Sequence, residues 1–220
     1  MVRSIAVVLL AFLGLAAARA EASQPSDIDF RVFRDGEEIG HHRVTFSREG
    51  DDLIAETSIE LAVTFASIRV FYYNHSSREV WRDGALQALS STTYDDGDDH
   101  TLSLQRQGDG FVVQGTRFSG PVSADAVPTS YWFPQMISAG RFIDTQNGRV
   151  FDGRIDRIGA ETIEVGGVQV PATRYTLTEA LEMNLWYDAA GRWVRTSFEA
   201  RGSQIEYVLA APLPPVTASN

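Results

Sequence analysis

Leu181-Glu182-Met183-Asn184-Leu185-Trp186-Tyr187-Asp188-Ala189-Ala190-Gly191-Arg192-Trp193-Val194-Arg195-Thr196-Ser197-Phe198-Glu199-Ala200-Arg201-Gly202-Ser203-Gln204-Ile205-Glu206-Tyr207-Val208-Leu209 decides the fold. In Asp188-Ala189-Ala190-Gly191, Asp starts a type I turn and Gly suits the left-handed bulge position that follows. That turn sets Tyr187 against Arg192, and Leu185, Met183 and Leu181 against Val194, Thr196 and Phe198. A turn at Gly202-Ser203 then sets Ala200 against Ile205, Phe198 against Tyr207 and Thr196 against Leu209. One face of three successive strands is therefore almost wholly apolar, which predicts an antiparallel meander. The other face carries Glu182, Asn184, Trp186, Trp193, Arg195, Glu199, Arg201 and Glu206, with Trp186 directly opposite Trp193. It reads either as a solvated outer surface or as the polar wall of a cleft with two aromatic platforms.

Outward from this stretch the pattern repeats. Short β-branched and aromatic runs are separated by Asp35-Gly36, Asp83-Gly84, Asp109-Gly110 and Gly166-Gly167, dipeptides that tolerate the positive φ of hairpin turns. The fold class is all-β: an antiparallel meander forming a strongly curved sheet or barrel-like shell, with little helix. One segment breaks the rhythm. Ser119 to Met136 holds Pro121, Pro128 and Pro134 and then the aromatic cluster Tyr131-Trp132-Phe133. It is too proline-rich for a central strand and reads as a crossover, with a short helical turn near Met136–Ala139. It is either a functional loop or a plug closing one end of a barrel.

The N-terminus reads as an address. Arg3 precedes an apolar run from Ile5 to Ala18, and Ala18-Arg19-Ala20 has the small-x-small pattern of a signal peptidase site. The expected organisation is a signal peptide over 1–20, a flexible segment over 21–27, one β domain over 28–209 and a disordered proline-containing tail over 210–220. Cleavage near Ala20 leaves 17 arginines against 29 carboxylates, a formal charge of −12 in place of −10. That charge argues against nucleic acid, whose phosphates need a basic face. With no cysteine in the chain there is no lipid-attachment thiol, disulfide or thiolate metal site. The expected product is soluble, periplasmic or secreted, without stable membrane insertion.

Chemistry is sparse. His41 and His42 are adjacent on a strand, so they point to opposite faces and cannot share a metal; parity with Val44 and Phe46 puts His42 inside, whereas a two-residue turn at Asp35-Gly36 puts His41 opposite Phe30. His75 and His100 stand alone. Asp95-Asp96-Gly97-Asp98-Asp99 is a solvated hairpin tip, not a calcium loop, because its spacing misses the EF-hand pattern. No metal or cofactor is expected. There is no G-x-S-x-G elbow, S-x-x-K motif or phosphate loop.

Phe30-Arg31-Val32 with Asp35-Gly36 and Ile39-Gly40-His41-His42 resembles the opening hairpin of an uncharacterised family of exported proteobacterial β proteins. Val127-Pro128-Thr129-Ser130-Tyr131-Trp132, Leu185-Trp186-Tyr187-Asp188, Gly191-Arg192-Trp193 and Phe198-Glu199-Ala200-Arg201-Gly202 look like its middle and closing motifs. The resemblance spans roughly Ile28 to Leu209 and implies no catalytic residue, since that family is one of unknown function. More distantly, the layout is similar to the curved periplasmic sheets of lipoprotein carriers. The expected role is binding or carrying a hydrophobic small molecule or lipid, through Tyr131, Trp132, Phe133, Met183, Leu185, Phe198 and Tyr207. The alternatives are an envelope enzyme using Glu182, Glu199 and Arg195 beside Trp186 and Trp193, and an envelope assembly factor.

Overall fold

Alternation becomes strand over most of the chain in the computed structural model, which describes residues 24–178 and 182–215. The expected signal peptide, residues 21–23, Leu181 and residues 216–220 lie outside the described residues. The first half is an unbroken meander: β1 (Ile28–Arg34), β2 (Glu37–Glu49), β3 (Asp52–Phe65), β4 (Ile68–Arg82), β5 (Ala85–Asp95), β6 (Asp98–Gln107), β7 (Gly110–Gly115) and β8 (Ser119–Ser123). A crossover follows with three short strands, β9 (Val127–Pro128), β10 (Arg141–Ile143) and β11 (Val150–Asp152), and a 3-10 turn over Pro134–Ser138. The meander resumes with β12 (Arg154–Val165), β13 (Val168–Thr178), β14 (Met183–Asp188), β15 (Trp193–Ala200) and β16 (Ser203–Leu209).

These strands make one antiparallel sheet of thirteen, in the order β12-β13-β14-β15-β16-β1-β2-β3-β4-β5-β6-β7-β8. Pairing of β16 with β1 splices the second meander onto the first. The sheet is strongly curved and not closed: β12 and β8 are its edges, and the crossover is the stretch of chain that runs between them. Prolines keep this stretch out of the large sheet, and β9, β10 and β11 form a small sheet of their own. Phe142, Ile143 and Met136 anchor it in the core, all with no exposed surface. The crossover is thus a plug against the inner face of the large sheet.

Turn chemistry explains the hairpins. Asp35-Gly36, Asp83-Gly84, Asp96-Gly97 and Gly166-Gly167 all have positive φ, as two-residue hairpin turns require. The turn expected at Asp109-Gly110 falls one residue earlier, at Gly108-Asp109, because Gly110 is already paired with Gln107. The last hairpin turns at Arg201-Gly202, both at positive φ, and not at Gly202-Ser203. Phe198 therefore faces Ile205 and Thr196 faces Tyr207, a slip of two residues from the expected register. Met183 likewise faces Phe198, and Leu185 faces Thr196. A two-residue slip leaves every side chain on its expected face.

One expectation fails in kind. Trp186 does not face Trp193: a β-bulge between Trp186 and Tyr187 sets Trp186 against Arg195 and Tyr187 against Trp193. The extra residue turns Trp193 inward, into contact with Phe30 and His42. At the chain ends, Gln24 and Asp27 hydrogen-bond the backbone of Phe46. Residues 210–215 begin as a packed segment: Pro212 lies against Gly166, Leu213 against the core, and Arg192 donates to the carbonyl of Pro214.

Candidate functional site

Register sorts the inner face into belts. His42, Ile59, His75 and Thr93 are successive partners across β2, β3, β4 and β5, and so lie side by side. One belt nearer the β1–β2, β3–β4, β5–β6 and β15–β16 turns are Leu61, Tyr73 and Asp95. Toward the opposite end come Val44, Thr57 and Ser77, then Phe46, Ala55 and Glu79. Trp81 closes that end together with the plug. Trp132 packs edge-on against Phe46 at 5.0 Å and Trp81 at 5.4 Å, and Phe133 lies 4.2 Å from Trp81.

Above this aromatic base the curved sheet and the plug leave a cavity of about 610 Å³. Near the turns its walls are mostly apolar, with Ile39, Val63, Val70, Phe71, Met183, Phe198 and Ile205, and the charged Arg34, Asp95 and Arg201 lie at the rim. Deeper, a polar stripe runs down β4 through Tyr73, His75, Ser77 and Glu79, and faces Thr129, Ser130, Thr145 and Gln146 of the plug. The stripe has a structural cause. A buried loop brings backbone carbonyls that need donors. Ser91 Oγ donates to Thr145 O at 2.6 Å, Thr93 Oγ1 to Gln146 O at 3.3 Å, and Tyr187 Oη to Tyr131 O at 2.8 Å. Ser130 Oγ donates to Glu79, whose other oxygen accepts the Trp81 indole N–H at 2.7 Å.

Burial governs the charges here. Glu79 is 1% exposed, and desolvation pushes its carboxyl up to about 7, against the opposing pull of the Ser130 and Trp81 hydrogen bonds. Desolvation lowers His75 to about 4; for His42, desolvation followed by repulsion from His75 and His41 lowers it to about 3. Both imidazoles are therefore neutral at pH 7. His75 Nδ1 lies 2.7 Å from Thr93 Oγ1. His42 sits in an aromatic box, with ring centroids 5.1 Å from Trp193, 5.6 Å from Tyr207 and 6.4 Å from Phe30, and its Nδ1 has no hydrogen-bond partner. Burial also raises the Tyr131 and Tyr207 hydroxyls and Asp144 above their ordinary ranges.

Of the residues expected to bind ligand, Tyr131, Trp132, Met183, Phe198 and Tyr207 line this cavity. Phe133 and Leu185 do not: Phe133 is packed on Trp81 within the plug, and Leu185 is wholly buried. Of the alternative polar set only Trp193 lines it. Trp186 is on the outer face, beneath the Arg195 guanidinium at 5.3 Å and hydrogen-bonded to Glu161. Glu182 and Glu199 are exposed, and Arg195 pairs with Glu206 at 2.6 Å. The carboxylates and the two tryptophans therefore do not converge. Glu79 and Ser130 were not singled out from sequence, and His75 was read there as standing alone. The available signal was Tyr73-x-His75-x-Ser77-x-Glu79-x-Trp81, a polar alternation bounded by aromatics of the same parity.

A family model described as a domain of unknown function, DUF6134, matches residues 30–210. No curated protein matches the chain. Among solved structures, the crystal structure of a beta-barrel-like protein of domain of unknown function DUF1849 from Brucella abortus is similar in fold. Its TM-score is 0.58 at 8% identity, covering 84% of this chain and 95% of that one.

Proposed function

The chain belongs to the DUF6134 family, whose function is unknown, and from that premise we propose that it is an exported protein that binds or carries a hydrophobic or amphipathic ligand. The observation that carries this reading is the cavity between sheet and plug. Its volume of about 610 Å³ falls within the range of small-molecule sites, with mostly apolar walls and a few convergent polar groups. The signal-like first twenty residues and the acidic, cysteine-free composition support a periplasmic or secreted setting for it.

The test is native mass spectrometry of protein purified from its own host, together with displacement of a lipophilic naphthylamine fluorophore. A retained lipid-like mass and saturable fluorophore binding are expected. Ile59→Trp, which places an indole in the middle of the cavity between His42 and His75, should abolish fluorophore binding while the strand signature in circular dichroism persists. Absence of both the retained mass and fluorophore binding in the wild type overturns the proposal.

One observation favours a second reading. A buried carboxyl poised near neutrality in a cavity is suited to general acid–base work. Under an enzyme reading Glu79 carries it, and Glu79→Gln would remove turnover of any substrate yet leave fluorophore binding intact.

A further inference from the structure

The cavity has two chemically different ends, and together they assign an orientation. Resting on the carrier reading above, we infer that the ligand enters head-first, with an uncharged hydrogen-bonding head of the alcohol or carbonyl class beside His42 and its apolar body toward the rim.

The buried polar groups in and behind the deep wall of the cavity include several that hold the plug. Ser91, Thr93, Glu79 and Tyr187 are engaged with the plug's own groups, and the Trp193 indole donates to Thr196 Oγ1 at 2.7 Å. His42 is different: it lines the cavity, is 6% exposed, and has a ring nitrogen with no partner. A buried N–H without an acceptor costs more than a buried lone pair without a donor. The proton therefore belongs on Nε2, and the ring presents a donor on its other edge. An imidazole in a box of Phe30, Trp193 and Tyr207 would pack more simply as phenylalanine. Its place in the sheet wall sets it apart from Trp132, the other lining residue with an unpartnered ring nitrogen, which sits at the aromatic base against Phe46 and Trp81.

Charge excludes the ionic heads. Cationic side chains that line the cavity each face an acid. Arg34 has Asp35 at 3.9 Å, Arg201 has Asp95 at 3.8 Å and Asp96 at 3.4 Å, and Arg149 lies within electrostatic reach of Asp144. Around His42 stand Ile59, Val44, Trp193 and the neutral His75, with no cation to receive a carboxylate or phosphate. An ammonium would have to displace existing partners at every lining carboxylate: Ser130 and Trp81 on Glu79, Gln146 and Asn147 on Asp144, and Arg201 on Asp95. A hydroxyl or carbonyl needs one hydrogen-bond partner and no counter-charge, and His42 offers that.

The experiment is competition against the naphthylamine fluorophore on the full mature chain, using dodecane, dodecanol, dodecanoate and dodecylamine. Dodecanol is expected to compete best of the three headed ligands at pH 7. In His42→Phe, which keeps the ring volume, the advantage of dodecanol over dodecane should fall about fivefold to tenfold, the worth of one hydrogen bond. Reading each competitor as a ratio to dodecane cancels any general change in cavity affinity, and thermal stability should be unchanged or higher. His42→Gln, which restores a hydrogen-bonding group, should recover part of the advantage. An unchanged alcohol-to-alkane ratio in His42→Phe overturns the assignment, as does tighter binding of the carboxylate or the amine. Failure of the fluorophore and all four competitors to bind the wild type instead overturns the carrier reading itself.

Discussion

Glu79 sits where a carboxylate has the least water, and its two hydrogen-bond donors only partly offset that cost. The sign of its effect on stability follows from linkage. Its folded pKa, about 7, lies above the ordinary value, so its protonated form stabilises the fold at low pH, and this contribution is lost as pH rises toward 7. His42 and His75 act the other way. Their folded values of about 3 and about 4 lie below the ordinary one, so stability is full above pH 6.5 and is lost as pH falls. Across the window from about 4.5 to about 6.5 the imidazoles make stability rise with pH while Glu79 flattens the rise. Glu79→Gln removes the flattening, so the slope should steepen by about 1.4 kcal/mol per pH unit, one proton's worth. Urea midpoints of both proteins between pH 4.5 and 6.5 check this; parallel profiles would mean that Glu79 stays ionised in the fold. None of the three groups was legible as a site. Asn74, Ser76 and Arg78 on the outer face of β4 are as polar as His75, Ser77 and Glu79 on the inner, so alternation alone does not choose between them. What chooses is the plug, whose carbonyls create the need for inner polar groups, and nothing local in β4 records its arrival.

Hairpins were legible to the extent that their turns carried chemistry. Asp-Gly and Gly-Gly dipeptides located four of the turns because only such residues adopt positive φ cheaply. The β3–β4 turn shows the limit of that rule. Ala66 and Ser67 occupy it at φ of 48° and 66°, a conformation with a steric cost for residues that have a Cβ. The flanking Phe65 and Ile68 are 76% and 67% exposed. No turn signal exists there to be read, yet eleven pairs of β3 and β4 beyond the bulge at Val63/Thr64 hold the register. Replacing Ala66-Ser67 by Asn-Gly should relieve the strain and stabilise the protein by about 1 kcal/mol, raising Tm by about 2–4 °C. Calorimetry of the double variant checks this, and no gain would mean that the tip conformation is unstrained. Bulges were the illegible part. Slips of two residues in the last hairpins changed partners but not faces, whereas the single extra residue, Val194 opposite Trp186/Tyr187, moved Trp193 from the expected outer wall to the cavity.

At the scale of the molecule, the apolar face read from the last three strands is the inner face of a curved sheet, and the proline-rich crossover is the plug inside it. Whether that face encloses a void depends on how far the sheet bends, which is a sum over thirteen strands and has no local signature. The bend can be located in the structure by one contact. Arg201, on the β15–β16 turn, reaches Asp95 and Asp96 on the β5–β6 turn, and its guanidinium lies 5.1 Å from the Phe71 ring. Four strands, β1 to β4, lie between those two hairpins in the sheet. The acidic run is therefore one side of a strap across the rim of the cavity. Arg201 is 66% exposed, so its ion pairs are screened and add little to stability. Their consequence under the carrier reading is kinetic, because a body leaving the cavity must pass the rim they bridge. Arg201→Ala should leave Tm unchanged within measurement error and speed dissociation of the bound fluorophore severalfold in stopped-flow displacement. High salt should bring the wild-type rate toward that of the variant, since screening weakens the same contacts. Equal release rates at low salt would mean that the strap does not lie on the exit path, and that the ligand leaves along the open seam between β8 and β12.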